Sequence, residues 1–593
     1  MPVPSSTEAT RGPSHGVRMR HVFVTVRDGV ELHAVVYLPR SGPVRVPVGV
    51  ELTPYTTDLM HDVGQSLARA GLGYVVADVR GRGDSQGDFH QFVHDARDGV
   101  DLIDWIVQQD WSDGRVFLVG GSYTGLNQWL MLGEGHPAIV AATPGAAVAV
   151  GIDVPRGGVA NLHNAMWESL VWGHTLNGMS GTDRGLWVQE VREARDRGLP
   201  PTAVGEAFGV ARRVGQAAPV GLHRTDVWRQ FLEAPAFEGF AGMLPAEGGL
   251  RSSTVPVLSV TGTHDFCMSG TIYHWERYGA LADPSTIERS HLVIGPWDHA
   301  GTGTGIPAVG DLAFGDAARV DLDGLRNSWL RHILFDEPKP EFLQDRFMFY
   351  VAGSEEWRAA SDVSSATRGT RALGLRSLGE PNDVFHSGWL VDGEGGGPDY
   401  AVTFDPQDRR VLDIESTRRE VSGMGDPSFP MDYHNFMGVQ FGPDPTNQIF
   451  SVTLDGDGLV YHSRPLAAPL TVVGFPALRL VVVPDQRDTD LSVVLHEIRP
   501  DGSAILVSTE VVRMSRCVAD GEGVRVGQEN LLDLTGFRFT SRTLGAGSRL
   551  RLTMSAAWST FMYPSPDLAD VPVDLIVRHG STTQLTLPLG EAS

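Results

Sequence analysis

The sequence predicts an α/β protein: a parallel sheet covered by helices, followed by a separate all-β domain. Short apolar runs alternate with helical patterns between residues 22 and 119, which is typical of a parallel sheet with helices on both faces. One apolar run passes through a glycine-flanked serine, Ser122, into a helical pattern. After residue 346, short β-rich runs separated by turn signals favour a sandwich or jelly roll.

The composition is that of a large globular chain. At about 100–200 residues per domain, a chain of this length suggests roughly three domains. The 593 residues are 41% hydrophobic and 20% charged, so a large core can be buried. The net charge of −24 disfavours a nucleic-acid binder, because this charge repels phosphates. Two cysteines, Cys267 and Cys517, are too few for a disulfide framework and are compatible with a cytoplasmic location.

No segment has the pattern of a membrane span or a signal peptide. No apolar run reaches the ~18 residues that a spanning helix needs. The longest apolar run, at 138–152, is interrupted by Thr143 and Pro144. The first residues are polar and rich in Pro and Ser, so we expect a flexible leader and no membrane partner.

The elements of the first part follow from local signals. A hairpin is expected around Asp28-Gly29, because this dipeptide favours a tight turn between two apolar runs. Apolar residues at helical spacing mark two helices farther along. In chain order, we expect strands at 22–26, 32–38 and 48–52, a helix at 63–69, a strand at 74–77, a helix at 96–108 and a strand at 116–119.

The pattern changes twice after residue 159. Between residues 160 and 250, helical patterns follow one another with no convincing strand, which indicates a helical cap inserted into the core. Strand signals return at 255–260 and 291–294, and a helix is expected at 322–334. The expected domains are a leader at 1–19, an α/β core at 20–159 and 251–345, a cap at 160–250 and a jelly roll at 346–593.

Ser122 has the setting of a catalytic nucleophile. A serine on a sharp strand-to-helix turn presents its hydroxyl at the sheet edge, where helix N-terminal amides can bind an oxyanion. Gly120 and Gly121 precede it, as a crowded turn requires. The glycine that usually follows two residues later is displaced to Gly125, with Thr124 in its place. A Gly-Ser turn that only caps a helix would have the same local pattern.

An acid and a histidine follow Ser122 in the expected order. A catalytic serine needs a base, and the base needs an orienting carboxylate. In an α/β-hydrolase the chain order is serine, acid, histidine, with each residue after a strand. Asp265 follows the strand signal that ends at residue 260, and His299 follows the one at 292–294. Their neighbours His264 and Asp298 are the alternatives.

Several motifs together resemble the cocaine esterase/X-prolyl dipeptidyl peptidase (CocE/NonD) family of serine hydrolases. The segment 120–125 is similar to the family's G-x-S-Y-x-G motif, and 295–299 to its G-P-W-x-H segment. The segment 78–87 is similar to D-x-R-G-x-G-x-S-x-G, and Pro54-Tyr55 to a Pro-Tyr pair of the family. Further similarities lie at 27–30, 356–358, 461–470 and 500–502.

The resemblance implies an α/β-hydrolase core with an inserted helical cap and a C-terminal jelly roll. It implies Ser122 as the nucleophile, Asp265 as the orienting acid and His299 as the general base. The Tyr55 hydroxyl and the Tyr123 backbone N–H would form the oxyanion hole. The residues expected to line the substrate pocket are Phe266 and Trp297. No cofactor and no metal are expected.

The leading functional hypothesis is a hydrolase of small-molecule esters that acts through an acyl-enzyme. The same residues would suit an X-prolyl or α-aminoacyl peptidase or amidase, and an acyltransferase. A non-catalytic binding protein on a hydrolase core is less favoured, because the serine, the acid and the histidine are all present. His90 and His94 have a spacing that could share a helix face, but Gln91 stands where a zinc protease needs Glu. A homodimer is left open.

Overall fold

The computed structural model describes residues 16–160, 240–405, 445–556 and 571–591, apart from 241, 252, 311, 447, 453 and 455. It also describes residues 167, 171, 173, 174, 408, 410 and 562. Most of the expected cap at 160–250, with most of its helical patterns, lies outside the described residues. The same holds for most of the expected leader.

The first half of the chain supplies twelve strands among the described residues. They are β1 (Val17–Thr25), β2 (Glu31–Pro39), β3 (Val46–Thr53), β4 (Gly73–Asp78), β5 (Ser112–Gly121), β6 (Ile139–Gly145), β7 (Leu258–Gly262), β8 (His291–Gly295), β9 (Ala308–Val309), β10 (Leu312–Ala313), β11 (Phe347–Val351) and β12 (Glu356–Ala360).

The helices of the described residues lie mainly in this half. They are α1 (His61–Arg69), α2 (Asp95–Val107), α3 (Tyr123–Glu134), α4 (Glu247–Leu250), α5 (Met268–Leu281), α6 (Pro284–Ile287), α7 (Gly301–Thr304), α8 (Leu322–Phe335) and α9 (Ile449–Val452). Short 3-10 helices lie at Thr57–Met60, Asp316–Ala318, Ser364–Ala366 and Met514–Arg516.

The core sheet has the order β1-β2-β4-β3-β5-β6-β7-β8-β11-β12 within the described ranges. The neighbours from β4 to β11 are all parallel, while β1, β2 and β12 pair antiparallel at the edges. Parallel strands place their carboxyl ends at one edge of the sheet. The turns after β5, β7 and β8 therefore meet there.

Helices cover both faces of this sheet. On one face, α2 and α3 bury apolar side chains such as Leu102 and Leu126 against the inner strands. On the other face, α1 and α8 bury Leu67 and Trp329. Two-sided coverage explains why the inner strands are buried along their whole length, as β3 and β4 are. The predicted α/β class and its parallel sheet are confirmed.

A second, larger sheet forms the C-terminal domain. Thirteen of its strands lie in the described ranges, and their pairing is mostly antiparallel, with its own buried apolar core. The predicted β-rich domain is confirmed. Its strands are β13 (Gly369–Arg376), β14 (Gly388–Asp392), β15 (Tyr400–Phe404), β16 (Gly458–Ser463), β17 (Leu470–Gly474), β18 (Ala477–Pro484), β19 (Asp490–Ile498), β20 (Ala504–Arg513), β21 (Asn530–Leu534), β22 (Thr540–Leu544), β23 (Arg549–Ser555), β24 (Val573–Arg578) and β25 (Gln584–Leu589).

Three boundaries differ from those expected from the sequence. β1 begins at Val17, inside the expected leader, because its backbone pairs with β2. β11 and β12 belong to the core sheet, since β11 pairs parallel with β8, so the core continues past residue 346 to Ala360. The apolar run at 138–152 contains a sheet strand, β6, which the sequence analysis did not assign.

Backbone hydrogen bonds join the two sheets. The N–H of Ala352, just after β11, donates to Ser541 at 3.1 Å, and the N–H of Thr543 donates to Ala352 at 2.7 Å. On β20, the N–H of Arg513 donates to Gly157 at 3.0 Å. The β domain is therefore attached to the same side of the core that carries the turns after β7 and β8. In the described segments, no helix combines the length and hydropathy of a membrane-spanning segment.

Candidate active site

Ser122 occupies a strained turn between β5 and α3. Its backbone has φ 62° and ψ −121°, a conformation that costs a non-glycine residue about 1–3 kcal/mol. The N–H of Ser122 donates to the carbonyl of Gly145 in β6 at 2.9 Å, which fixes the turn against the neighbouring strand. Strained residues of this kind cluster at functional sites, and they persist only where the surrounding structure holds them in place. Ser122 is half-buried at the sheet edge.

The displaced glycine of the serine motif has a steric cause. A Cβ on Gly125 would lie 2.6 Å from the carbonyl oxygen of Gly145, so α3 can pack this closely on β6 only without a side chain there. Thr124, which stands in the usual glycine position, donates its hydroxyl to the carbonyl of Gly121 at 2.9 Å. Its side chain fills the space beside Gly120, where φ is 130° and a Cβ would clash with it.

Tyr55 lies next to the serine, after β3, and is fully buried. Its hydroxyl accepts the indole N–H of Trp167 at 3.1 Å. The side chain of Ser122 and the backbone of Tyr123 lie within interaction distance of this hydroxyl. Burial raises the pKa of Tyr55 to about 12, so the hydroxyl keeps its proton at neutral pH. Because Trp167 is the donor in its bond, the proton of Tyr55 is available for an acceptor beside Ser122.

The Tyr123 side chain contacts residues at and just before the start of α2. Its hydroxyl donates to Asp95 at 3.0 Å and accepts the N–H of Phe92 at 3.1 Å. The ring stacks on Phe92 with 4.0 Å between centroids. The side chain thus anchors the segment before α2, while the backbone N–H at the start of α3 lies beside the Tyr55 hydroxyl. The two expected oxyanion donors are therefore adjacent.

Asp265 and His299 are paired in the turns after β7 and β8. Nδ1 of His299 lies 2.7 Å from Oδ1 of Asp265, and both residues are buried. The carboxylate also accepts the hydroxyl of Thr261 at 2.7 Å and the N–H of Cys267 at 3.0 Å. Burial by itself raises the pKa of Asp265, but the charge of His299 and these hydrogen bonds hold it below its usual value. Asp265 is therefore ionised at neutral pH.

Cys267 lies close to this pair and to Tyr55. Donor atoms of Cys267, Asp265 and His299 lie within 4.8 Å of one another. The Cys267 thiol is also close enough to Tyr55 to affect its pKa. The three donors are a poor metal site, because burial raises the pKa of the thiol well above its usual range and His299 is already bonded to the carboxylate. A hydrogen-bonded acid–histidine pair fits this geometry better.

The sequence neighbours of the pair have other contacts. His264 stacks on Phe314 with 5.5 Å between centroids. Asp298 accepts the N–H of Gly301 at 2.7 Å and so holds the first turn of α7. Burial raises the pKa of Asp298. The carboxylate–imidazole hydrogen bond that the structure shows joins Asp265 and His299.

The two residues expected in the pocket differ in position. Phe266 is half-buried, and its ring lies 4.5 Å from the His299 ring between centroids, so it can contact a group bound beside the histidine. Trp297 is fully buried in the core, where its indole N–H donates to Ala318 at 3.2 Å and its ring packs near Trp357. The structure thus places Trp297 under the histidine turn rather than in a pocket wall.

Two supporting residues were not found from the sequence. Trp167 belongs to the cap region and reaches Tyr55 across 112 positions, a contact that no motif signals. Its ring also stacks on Tyr123 with 5.6 Å between centroids. Arg82 is fully buried and donates to the carbonyl of Pro54 at 2.7 Å, and it also bonds the carbonyl of Gly173. It lay within the recognised 78–87 motif, but its role was not predicted.

The histidine pair considered as a zinc site does not share a helix face. His94 is the N-cap of α2, and His90 lies in the irregular segment before it. Their rings are nearly perpendicular, with 5.7 Å between centroids.

Comparison with known proteins identifies the family. A model of the X-Pro dipeptidyl-peptidase S15 family matches residues 28–301. A model of the X-Pro dipeptidyl-peptidase C-terminal non-catalytic domain matches residues 400–574. The chain belongs to the CocE/NonD X-Pro peptidase family of serine hydrolases. The resemblance seen in the motifs is therefore confirmed, and the chain is a serine hydrolase.

Similar proteins match this chain over most of its length. A cocaine esterase from Rhodococcus sp. is 26% identical over 513 residues, covering 83% of this chain and 82% of that protein. The structure of an α-amino acid ester hydrolase has a TM-score of 0.74 at 20% identity and covers 99% of this chain and 100% of its own. An aminopeptidase from a marine sediment archaeon, Thaumarchaeota archaeon, has a TM-score of 0.74 at 19% identity, covering 99% of both chains.

Proposed function

We propose that this chain hydrolyses small-molecule carboxylic esters through an acyl-enzyme on Ser122. The observation that carries the proposal is the meeting of the Tyr55 hydroxyl, the Tyr123 N–H and Ser122 at the sheet edge where Asp265 and His299 are paired. The cocaine esterase relative supports an ester substrate. The acyl and alcohol parts of the substrate are left open.

The groups act in sequence. The Ser122 oxygen bonds to the carbonyl carbon while His299 takes the serine proton at Nε2, since Nδ1 faces Asp265. The Tyr55 hydroxyl and the Tyr123 N–H bind the oxyanion. The bond to the alcohol oxygen then breaks, and His299 gives the proton to that oxygen. Water attacks the acyl-enzyme with His299 as base, which releases the acid and restores Ser122.

The proposal is tested with a fluorophosphonate and a panel of p-nitrophenyl esters. The wild type is expected to be labelled and to hydrolyse at least one ester, and Ser122→Ala is expected to lose both properties. Ser361→Ala is the matched control, because Ser361 is solvent-exposed in the loop after β12. Labelling of the Ser122→Ala variant would show that another residue is the nucleophile.

The alternatives are separated by their products. Aminoacyl and X-Pro p-nitroanilides test for a peptidase or amidase, and ester formation with added alcohol tests for acyl transfer. If turnover on a p-nitroanilide exceeds that on every ester, the ester proposal is wrong. Absence of both labelling and turnover would favour a binding protein.

Location and assembly remain proposals as well. We propose a cytoplasmic location, supported by the two cysteines, Cys267 and Cys517, which are buried free thiols. Cell fractionation tests it, and recovery in a secreted fraction would contradict it. A homodimer stays a prediction, which light scattering on the purified chain tests.

A further inference from the structure

The C-terminal domain reaches into the turn that carries the proposed catalytic acid. Arg538 lies in the loop between β21 and β22, and its guanidinium donates to the backbone carbonyl of Asp265. That carbonyl also accepts the N–H of Met268 at 3.1 Å, so Arg538 takes its second acceptor position. Arg538 and Asp265 are separated by 273 positions and belong to different domains. Arg538 is itself buried.

The backbone of Arg538 is fixed by the strand beside it. Its N–H donates to the carbonyl of Thr509 on β20 at 3.2 Å, and its carbonyl accepts the hydroxyl of Ser508 at 2.6 Å. The guanidinium therefore extends from a backbone that is held on both sides. A side chain whose backbone is held in this way positions its partner better than one on a free loop.

The charges around Arg538 explain why a cation is buried there. It interacts with the carboxylates of Asp153 and Asp265. Asp153 accepts the N–H groups of Ala149 at 2.9 Å and Gly270 at 3.0 Å, which places it at the start of α5 beside the acid turn. The cation thus has two buried carboxylates from the core domain opposite it.

A second arginine, which is partly buried, crosses the same interface without bonding to the acid. Arg156 extends from the core and donates to the carbonyl of Gly536 at 2.7 Å and to the hydroxyl of Ser269 at 3.1 Å. It joins the same two domains, close to Arg538. Arg156 is therefore a matched control for domain docking.

We propose that Arg538 is a positioning residue: it holds the main-chain carbonyl of Asp265 and thereby the orientation of the carboxylate toward His299. The inference rests on the proposed function. This role gives the C-terminal domain, whose family model is described as non-catalytic, a part in the reaction. A misplacement of the acid by a fraction of an ångström weakens its bond to His299 and slows attack by Ser122.

The test compares Arg538→Met with Arg156→Met. The readouts are the rate of labelling by a small fluorophosphonate, kcat and KM, all at a temperature where thermal melts show each variant folded. Arg538→Met is expected to lower the labelling rate and kcat about tenfold or more with KM changed less than twofold. Arg156→Met is expected to lower Tm and keep the labelling rate. Arg538→Lys, which retains a donor, is expected to recover part of the rate.

Two outcomes overturn the inference: labelling of Arg538→Met at the wild-type rate, or equal slowing of both arginine variants. If Arg538→Met does not fold, the double variant Arg538→Met/Asp153→Asn removes the opposing buried charge and is compared with Asp153→Asn alone by the same criteria. Failure of the proposed function is distinguishable, because the wild type would then not be labelled or the Ser122→Ala variant would still be.

Discussion

Replacing Tyr55 with Phe tests the oxyanion hole with a change of one oxygen atom. The hydroxyl lies beside Ser122 and the Tyr123 N–H, while the buried ring keeps its edge-on contact with Trp167 at 6.4 Å between centroids. Loss of one oxyanion donor costs about 2.7–4 kcal/mol of transition-state stabilisation. We therefore expect kcat to fall by about 10²- to 10³-fold, with KM changed less than threefold.

The same substitution has a predictable effect on stability. The indole N–H of Trp167 loses its acceptor, and an unsatisfied buried donor costs about 1–3 kcal/mol. The double variant Tyr55→Phe/Trp167→Phe removes both partners and is expected to recover part of this loss without recovering kcat. Thermal melts and chemical denaturation of the two variants measure the difference.

Tyr123→Phe is the control for Tyr55→Phe. It also removes a buried tyrosine hydroxyl, but the partners of that hydroxyl are Asp95 and Phe92. Its backbone N–H is unchanged. We expect a loss of stability with kcat within tenfold of the wild type. The assay is pre-steady-state hydrolysis of a p-nitrophenyl ester, which separates acylation from deacylation. If Tyr55→Phe keeps kcat within threefold of the wild type, Tyr55 does not bind the oxyanion.

Four further substitutions follow from the same structure. Asp265→Asn is expected to lower kcat by about 10⁴-fold, because the amide favours the wrong tautomer of the histidine. Gly125→Ala is expected to lower Tm, because the added Cβ would lie 2.6 Å from a carbonyl oxygen of β6. Its control, Gly279→Ala in α5, is expected to raise Tm, because no atom of the described residues lies within 4 Å of the added Cβ. The free energy of unfolding of Asp95→Asn, relative to that of the wild type, is expected to increase as the pH rises from 4 to 7. Denaturation at each pH measures this difference.

The sign of the Asp95 effect follows from proton binding. Burial raises the pKa of Asp95 to about 7, from the ordinary aspartate value of about 3.9. Between these values the folded state holds a proton that the unfolded state has released, so this contribution to stability falls as the pH rises. An asparagine does not titrate. A stability difference between Asp95→Asn and the wild type that stays constant across this range would contradict the Asp95 prediction. A near-wild-type kcat for Asp265→Asn would contradict the role of the acid. Equal Tm changes for Gly125→Ala and Gly279→Ala would contradict the steric argument at Gly125.

Local sequence signals predicted the elements that carry the core sheet. The hairpin at Asp28-Gly29 and the strands before Ser122 and His299 were predicted because alternation, turn residues and apolar runs are short-range features. β6 was not assigned, since a strand buried on both faces shows no alternation and this one contains Pro144. β11 was assigned to the wrong sheet, because a strand's residues do not identify its neighbour.

The site was predictable where residues follow strands and unpredictable where domains meet. Asp265 and His299 were selected by their order along the chain, and the structure brings them within hydrogen-bond distance. Trp167 and Arg538 act across 112 and 273 positions, and no spacing rule relates them to Tyr55 or Asp265. Trp297 was misplaced for a related reason: it adjoins the histidine in sequence, but its ring turns into the core.

The backbone hydrogen bonds of Ala352 bear on where two relatives could be joined in a chimera. A chimera joined at residue 346 would take its last two core strands from the donor of the outer domain, and the parallel pairing of β8 with β11 would then join residues of different parents. A junction after Ala360 leaves that pairing intact but divides the contacts of Ala352 with Ser541 and Thr543 between parents. These contacts use main-chain atoms, which every parent supplies, so the later crossover preserves more of the native architecture.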